Sequence, residues 1–282
     1  MSKDERQVGS TIPIARLVNL CKSFGRLAVL RDLNLEFARG QTTVVLGPSG
    51  CGKSVMLKHL IGLLKPDSGE AWFESTRVDT LSESKLRPIR RQFGVLFQHG
   101  ALFDSMSVRA NVAFPLVEHT RMTTPQRLEQ IQHVLGLVGL QDTLDKMPSD
   151  LSGGQRKRVA LARAIVLRPK VILYDEPTTG LDPIRAEVIN GLILKLQDEL
   201  QVTSIVVTHD LASAFRVADL MVMLHDGRVV TQGTPAEFRE SPNPVVQRFL
   251  TAHEPAGGLD GEPAGGVGAV GRAEDRPPGS EP

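Results

Sequence analysis

The segment GPSGCGKS at positions 47–54 constrains the fold of this chain more than any other feature of the sequence. It follows the β-branched run Thr42–Leu46 (TTVVL) and precedes a stretch with helical character at residues 55–64. A strand, a glycine-rich loop of this pattern and a helix form a phosphate-binding loop, in which backbone N–H groups and the helix N-terminus face phosphate oxygens. The sequence therefore predicts an α/β protein that binds a nucleoside triphosphate.

Every position of this loop is predicted to take part in nucleotide binding. Lys53 is expected to reach the β and γ phosphates as a catalytic cation, and Ser54 to ligate Mg²⁺. Cys51 lies beside Lys53 and a helix N-terminus, which both favour a thiolate, so the sequence also predicts an unusually reactive cysteine. The predicted binding residues of the loop are Gly47, Pro48, Ser49, Gly50, Cys51, Gly52, Lys53 and Ser54.

Two adjacent carboxylates follow an apolar run in the segment VILYDEP at positions 171–177. Successive side chains of a strand point to opposite faces, so Asp175 and Glu176 are expected to point in different directions. We predict that Asp175 holds Mg²⁺ through its water shell. We predict that Glu176 is the general base that polarises the attacking water.

The segment LSGGQ at positions 151–155 precedes a basic helical stretch at residues 156–168. This order places Ser152, Gly153, Gly154 and Gln155 at a helix N-terminus, where an anion is favoured. Taken alone, the pentapeptide is also explained as a simple helix cap. A second surface for phosphate in one chain is unexpected for a monomer.

The rest of the chain predicts the domain organisation. Apolar runs at residues 42–46, 93–97, 171–174 and 204–207 are typical of central parallel strands, and Asp226-Gly227 between two alternating runs predicts an antiparallel hairpin at the sheet edge. Helical periodicity without a strand predicts an inserted helical subdomain at residues 105–167. The predicted parts are a polar segment at 1–12, the nucleotide-binding domain at 13–252 and a disordered Gly- and Pro-rich, acidic tail at 253–282.

Composition limits the setting in which the chain works. Its 33 Lys and Arg oppose 32 Asp and Glu, so no excess of positive charge favours a nucleic-acid partner. The longest run without a charged residue has 13 residues, whereas a membrane-spanning helix needs about 20 apolar ones. Two cysteines without paired spacing favour a reducing, cytosolic compartment.

The order of these motifs resembles the ATP-binding cassette (ABC) family, whose signature is LSGGQ upstream of the acidic strand. The resemblance implies that Gln98 is the glutamine that contacts Mg²⁺ or the water and senses a membrane partner. It implies that Asp182 crosses a dimer interface and that His209 contacts the γ phosphate. Phe24, in CKSFG, is similar to the aromatic residue that stacks on adenine, although many cassettes carry Tyr there.

Residues 97–120 (FQHGALFDSMSVRANVAFPLVEHT) and 244–250 (PVVQRFL) further resemble the MlaF/Mkl subfamily of lipid-trafficking ABC ATPases. This resemblance implies a head-to-tail homodimer with two ATP molecules between phosphate loop and signature. It implies an MlaE-like integral membrane permease and an MCE-domain lipid-binding protein as partners, and it leaves open a small regulatory subunit. The implied location is peripheral, on the cytoplasmic face of the inner membrane, with phospholipid or a related lipid as cargo.

Three alternatives remain at this point. The cassette could serve an importer of amino acids, ions or another small solute, against which residues 97–120 argue. It could be a soluble ABC ATPase outside transport, although such chains usually carry two cassettes or large insertions. A small GTPase would share the phosphate loop, but the sequence has no Asn-Lys-x-Asp motif and LSGGQ would be unexplained.

Overall fold

The computed structural model describes residues 12–253 of the 282 residues. The predicted polar segment at 1–12, apart from its last residue, and the predicted tail beyond residue 253 lie outside the described residues. Ten strands form two sheets in this part of the chain. No helix within it is both long and apolar enough to cross a membrane.

The larger sheet has six strands and forms the centre of the protein. Its spatial order is β10-β9-β3-β8-β7-β6, in which β9 to β6 run parallel and β10 pairs antiparallel with β9. The strands are β3 (Thr42–Leu46), β6 (Phe93–Leu96), β7 (Val171–Asp175), β8 (Thr203–Thr208), β9 (Leu220–His225) and β10 (Arg228–Gly233). The predicted parallel core and antiparallel edge are therefore confirmed.

The edge hairpin has the turn that its sequence predicts. Asp226 and Gly227 both adopt positive φ angles, 48° and 75°, and they form a two-residue connection between β9 and β10. This conformation matches the right-handed twist of the flanking strands, and Gly adopts it without a steric penalty.

A second, antiparallel sheet of four strands was not predicted from the sequence. Its order is β2-β1-β4-β5, with β1 at Ala15–Phe24, β2 at Leu27–Phe37, β4 at Ser68–Phe73 and β5 at Thr76–Arg77. The pairing of β1 with β2 shifts register three times, and Asn19 within β1 has a φ of 48°. These irregularities interrupt the alternation of apolar and polar residues that would have indicated strands.

The helices cover both faces of the large sheet. Residues 105–167 contain three of them, with short 3₁₀ turns and, within this described range, no strand. The helices are α1 (Lys53–Leu60), α2 (Glu83–Arg90), α3 (Val108–His119), α4 (Thr124–Leu137), α5 (Gly153–Ile165), α6 (Pro183–Leu200), α7 (Leu211–Val217), α8 (Pro235–Arg239) and α9 (Pro244–His253).

Two hydrophobic cores hold the sheet in place. On one face, β-strand side chains such as Tyr174 pack with α3, α5 and α6. On the other face, Met56 and Leu60 of α1 pack between the large sheet and Phe37 of the antiparallel sheet. All five residues of β3 are buried, which agrees with a strand covered on both faces. The carboxyl ends of β3, β6, β7 and β8 meet at one edge, where ligands bind in open parallel sheets.

Candidate functional site

The loop between β3 and α1 needs glycine for its backbone path. Gly52 precedes the first residue of α1 with a φ of 106°. A Cβ atom placed on it would lie 2.6 Å from Cδ2 of Leu30 and 3.1 Å from the carbonyl oxygen of Val29. Any other residue would be strained by its φ angle and crowded by β2. The loop thus brings the N-terminal end of α1 close to the antiparallel sheet.

Lys53 and Ser54 open α1 and point to different partners. The Nζ of Lys53 donates to the carbonyl oxygens of Gly47, at 2.7 Å, and Pro48, at 3.2 Å. The Oγ of Ser54 donates to Oδ1 of Asp175 at 2.9 Å. The backbone carbonyls of the loop therefore hold a buried ammonium group, and the hydroxyl links α1 to the end of β7.

Asp175 and Glu176, at the end of β7, contact different partners, but strand alternation is not the cause. Asp175 is the last residue of β7, whereas Glu176 has left the strand and has a φ of 51°. The alternation of a continuing strand therefore does not extend to Glu176, and only the predicted reason for the separation is wrong. Instead, the left-handed backbone at Glu176 directs its carboxylate towards the loop after β8. Burial raises the pKa of Asp175, and the charge of Glu176 adds to this shift.

The carboxylate of Glu176 is surrounded by donors. Its Oε2 accepts hydrogen bonds from the hydroxyls of Thr179 and Thr208, each at 3.2 Å, and lies 2.9 Å from Nδ1 of His209. Its Oε1 lies 3.7 Å from Nζ of Lys53. The sequence patterns did not indicate either threonine. The only signal for Thr208 is its position at the end of a strand, directly before His209.

One cavity of about 390 Å³ joins residues of the phosphate loop with Phe24, Gln98, Glu176 and His209. Phe24, which is 48% exposed, lines it and leaves part of its ring open to solvent. Val29 and Val55 are lining residues that the sequence did not indicate. The predicted residues that line the cavity are Phe24, Ser49, Gly50, Gly52, Lys53, Ser54, Gln98, Glu176 and His209. The other predicted residues do not line it, namely Gly47, Pro48, Cys51, Asp175, Asp182 and the four residues at 152–155.

The predicted reactivity of Cys51 is wrong. The residue is only 8% exposed, and burial raises the pKa of its thiol. The charge of Lys53 and backbone hydrogen bonds act in the opposite direction but are smaller effects. A buried thiol that stays protonated reacts slowly, because the thiolate is the nucleophile.

The LSGGQ segment lies in a different depression of the same chain. Ser152 caps α5, where its Oγ accepts from the backbone N–H of Gln155 at 3.3 Å and its own N–H donates to Oε1 of Gln155 at 2.9 Å. Ser152, Gly154 and Gln155 line a cavity of about 70 Å³ that shares no lining residue with the phosphate-loop cavity. Nearby, Asp182 caps α6 by accepting from the backbone N–H of Arg185 at 2.9 Å. One chain therefore carries the phosphate loop and the LSGGQ segment on two separate cavities.

These features define a phosphate-loop nucleoside triphosphatase whose LSGGQ segment lies apart from the phosphate loop. The model of the ABC transporter family matches residues 30–179. The chain belongs to this family.

Curated relatives cover most of the chain. The probable ribonucleotide transport ATP-binding protein mkl of Mycobacterium leprae is 41% identical over 257 residues, which are 91% of this chain and 71% of the relative. The chloroplastic protein trigalactosyldiacylglycerol 3 of Arabidopsis thaliana is 41% identical, and the match covers 85% of this chain and 72% of that protein. The intermembrane phospholipid transport system ATP-binding protein MlaF of Escherichia coli is 40% identical over 226 residues, 80% of this chain and 84% of MlaF.

Solved structures show the same fold. The structure of cbiO1 from Clostridium perfringens, part of the ABC transporter complex cbiONQ, has a TM-score of 0.76 at 32% identity and covers 86% of this chain and 96% of its own. A second structure is the dimeric ATP-binding cassette MJ0796 in a post-hydrolysis state, bound to ADP and Pi. It has a TM-score of 0.73 at 34% identity, and the match covers 78% of this chain and 98% of MJ0796.

The family, the fold class and the predicted ATPase activity are thus confirmed. The chain is an ATP-binding and ATP-hydrolysing subunit of an ABC transporter. Cassettes of this kind are dimeric and pair with membrane permease components. The alternative of a small GTPase is excluded.

Proposed function

We propose that this chain is the ATPase of a lipid transporter and acts as a peripheral subunit on the cytoplasmic face of the inner membrane. The names of two relatives at 40% and 41% identity, which refer to intermembrane phospholipid transport and to trigalactosyldiacylglycerol, support a lipid as cargo. The resemblance of residues 97–120 to the MlaF/Mkl subfamily supports the same conclusion. In this proposal an MlaE-like permease and an MCE-domain protein complete the transporter.

The observation that carries the catalytic part is the shared cavity of the phosphate loop with Glu176 and His209. The exposed ring of Phe24 offers a stacking surface for adenine, and Lys53 supplies a cation for the β and γ phosphates. Glu176 is the general base that orients and polarises the attacking water, with His209 beside the γ phosphate. Gln98 lies on the same cavity and would contact the water or the metal.

The residues around Asp175 fit a Mg²⁺ ion. The hydroxyl oxygen of Ser54 donates a hydrogen bond to a carboxylate oxygen of Asp175, and oxygen is the ligand type that Mg²⁺ prefers. Asp175 and Glu176 are neighbouring carboxylates that repel each other, and burial raises the pKa of Asp175. A divalent cation bound here would reduce this repulsion. Ser54, Asp175 and Gln98 would hold the ion, which neutralises charge on the phosphates when bound.

A head-to-tail dimer gives the separate LSGGQ cavity a role. In this arrangement the Ser152, Gly153, Gly154 and Gln155 segment of one chain covers the nucleotide in the phosphate loop of the other. Next to Asp182, two apolar side chains on the first turns of α6 are unusually open, with Ile184 81% and Val188 45% exposed. An apolar surface beside a binding segment supports contact with a second copy.

A groove between the sheet and the helical subdomain supports docking of the permease. Its volume is about 490 Å³. We call it the docking groove; it is lined by the aromatic residues Phe93, Phe97, Phe103 and Phe114 and the basic residues Arg87, Arg90, Arg91, His119 and Arg163, among others. None of the described residues that line it is acidic. Its chemistry fits a short permease segment that carries apolar side chains and a carboxylate.

The docking groove is tested by reversing one charge. Arg87 is exposed, so Arg87→Glu should weaken co-purification of the permease without changing nucleotide binding by the chain itself. Arg228→Glu, an exposed change on the edge strand β10, is the matched control. Equal permease recovery with both variants would exclude this groove as the docking surface.

The cargo is tested on the complete transporter. Purification from native membranes in mild detergent, followed by identification of the bound proteins and lipids, should recover a permease, an MCE-domain protein and phospholipid. The name of the mycobacterial relative favours a second candidate, ribonucleotide transport. Phospholipid in vesicles, and not ribonucleotide, should alter the ATPase rate of the reconstituted transporter. The reverse result would favour the second candidate.

A further inference from the structure

Lys157 is a buried cation in the helix that begins at the LSGGQ segment. It is the fifth residue of α5 and is 7% exposed. Its Nζ donates to the carbonyl oxygens of Pro177, at 2.8 Å, and Thr179, at 2.7 Å. Among the described residues no carboxylate lies within ion-pair distance of it. Burial lowers its pKa, and the charge of Glu176 acts in the opposite direction.

The carbonyls that Lys157 holds belong to the loop that shapes the catalytic carboxylate. The hydroxyl of Thr179 donates to Oε2 of Glu176, and the backbone N–H of Thr179 donates to the carbonyl of Glu176 at 3.3 Å. Thr179 therefore contacts Lys157 with its carbonyl and Glu176 with its side chain. Lys157 also holds the carbonyl of Pro177, the residue that directly follows Glu176 in the chain.

The opposite side of the same loop is fixed by a buried polar network. The hydroxyl of Thr178 donates to Oδ2 of Asp210, which also accepts from Ser213 of α7, and Ser213 accepts from Asn190 of α6. Whereas α6 and α7 hold Thr178, Lys157 holds the carbonyls on either side of it from α5. A shift of α5 would therefore act on this loop through Lys157.

We propose that Lys157 is a positioning residue that couples the LSGGQ end of α5 to Glu176 of the same chain. This inference rests on the proposed head-to-tail dimer and on Glu176 as the general base. In that dimer the LSGGQ end of α5 touches the nucleotide of one site, whereas Glu176 belongs to the other site. Lys157 thus links the occupancy of one site to the geometry of the carboxylate in the second.

The test uses the complete transporter and the variant Lys157→Met, which keeps the length of the side chain and removes its donors. We expect kcat for ATP to fall about tenfold while KM changes less than about twofold, because Glu176 is misplaced but the phosphate loop is intact. The Hill coefficient for ATP should fall towards one. Lys157→Arg, which retains charge and donors, should recover part of kcat. Lys195→Met is the matched control, since Lys195 also donates to a backbone carbonyl, that of Leu137, but is exposed.

A double-mutant cycle separates positioning from a loss of stability. If Lys157 acts through Glu176, Lys157→Met should add little to the loss caused by Glu176→Gln, measured by release of labelled phosphate. An equal fractional loss in both backgrounds, or a kcat of Lys157→Met within about twofold of the unchanged protein, would overturn the inference. A Glu176→Gln variant with full hydrolysis would instead overturn the proposed role of Glu176.

Discussion

The Nδ1 of His209 lies 2.9 Å from Oε2 of Glu176, although 33 positions separate the two residues. The pairing of β7 with β8 produces this contact. Asp175 is in register with Val207, and the backbone N–H of Glu176 donates to the carbonyl of Val207 at 2.9 Å. The first residues after two neighbouring parallel strands therefore meet beside Lys53 of the phosphate loop.

Glu176→Gln should block hydrolysis and leave ATP bound. The amide keeps the size of the side chain but cannot polarise water, so we expect the rate to fall about 100-fold or more. Because the closed state then cannot reset, ATP should hold two copies of the chain together. Size-exclusion chromatography with light scattering should show a dimer at saturating ATP and Mg²⁺.

The comparison is made both on the isolated chain and on the purified transporter, where the permease brings two copies together. Glu129→Gln, at an exposed residue of α4, serves as the control with normal hydrolysis. A Glu176→Gln variant that binds ATP but stays monomeric in both settings would remove the main support for the shared-site dimer.

Ser152→Arg should separate nucleotide binding from hydrolysis. The arginine fills the LSGGQ depression, which shares no lining residue with the phosphate-loop cavity, so ATP binding to the isolated chain should stay within about twofold of normal. Hydrolysis should fall at least about tenfold, because the closed dimer cannot form. Binding of a fluorescent ATP analogue measures the first effect, and the rate of phosphate release measures the second. Lys53→Met should show the opposite pattern, with binding itself lost.

Cys51 should be alkylated slowly even in the absence of ATP. Its thiol is buried, and burial raises its pKa above the ordinary value, so little thiolate exists at neutral pH. Cys21, which is partly exposed, is the internal reference. Mass spectrometry after timed treatment with iodoacetamide should show Cys21 modified first. Faster labelling of Cys51 would mean that the phosphate loop opens in solution.

His59 should make the protein less stable below neutral pH. It is fully buried in α1, with Nδ1 2.8 Å from the carbonyl of Val55, and burial lowers its pKa. As the pH falls below about 6.5, His59 takes up a proton in the unfolded chain but not in the folded protein. The free energy of unfolding therefore decreases as the pH falls from about 6.5 to the lower pKa of the folded state. Between about pH 7.5 and 5.5, the Tm of His59→Met should decrease less than the Tm of the unchanged protein.

Thermal melts without nucleotide measure this effect. His133→Gln, at an exposed position of α4, should keep the pH dependence of the unchanged protein. Parallel Tm curves for the unchanged protein and His59→Met would show that His59 does not titrate differently in the two states.

Local patterns predicted the central strands, the edge hairpin and the phosphate loop. Each is encoded over a few residues, such as the β-branched run before Gly47 or the pair Asp226-Gly227, because local backbone preferences decide them. The antiparallel sheet could not be predicted in the same way, since β1 breaks its own alternation at Asn19. Family resemblance, and not pattern alone, indicated Gln98 and His209.

What the sequence determined by itself is the chemistry available to this protein: a phosphate loop, two carboxylates after an apolar strand and the LSGGQ segment. The tertiary structure decided which groups meet. Strand order brings Glu176 and His209 to Lys53, burial keeps Cys51 a thiol, and the packing of α5 places Lys157 on the loop after Glu176. These outcomes depend on contacts between residues far apart in the chain and on desolvation, and neither is written in a local pattern.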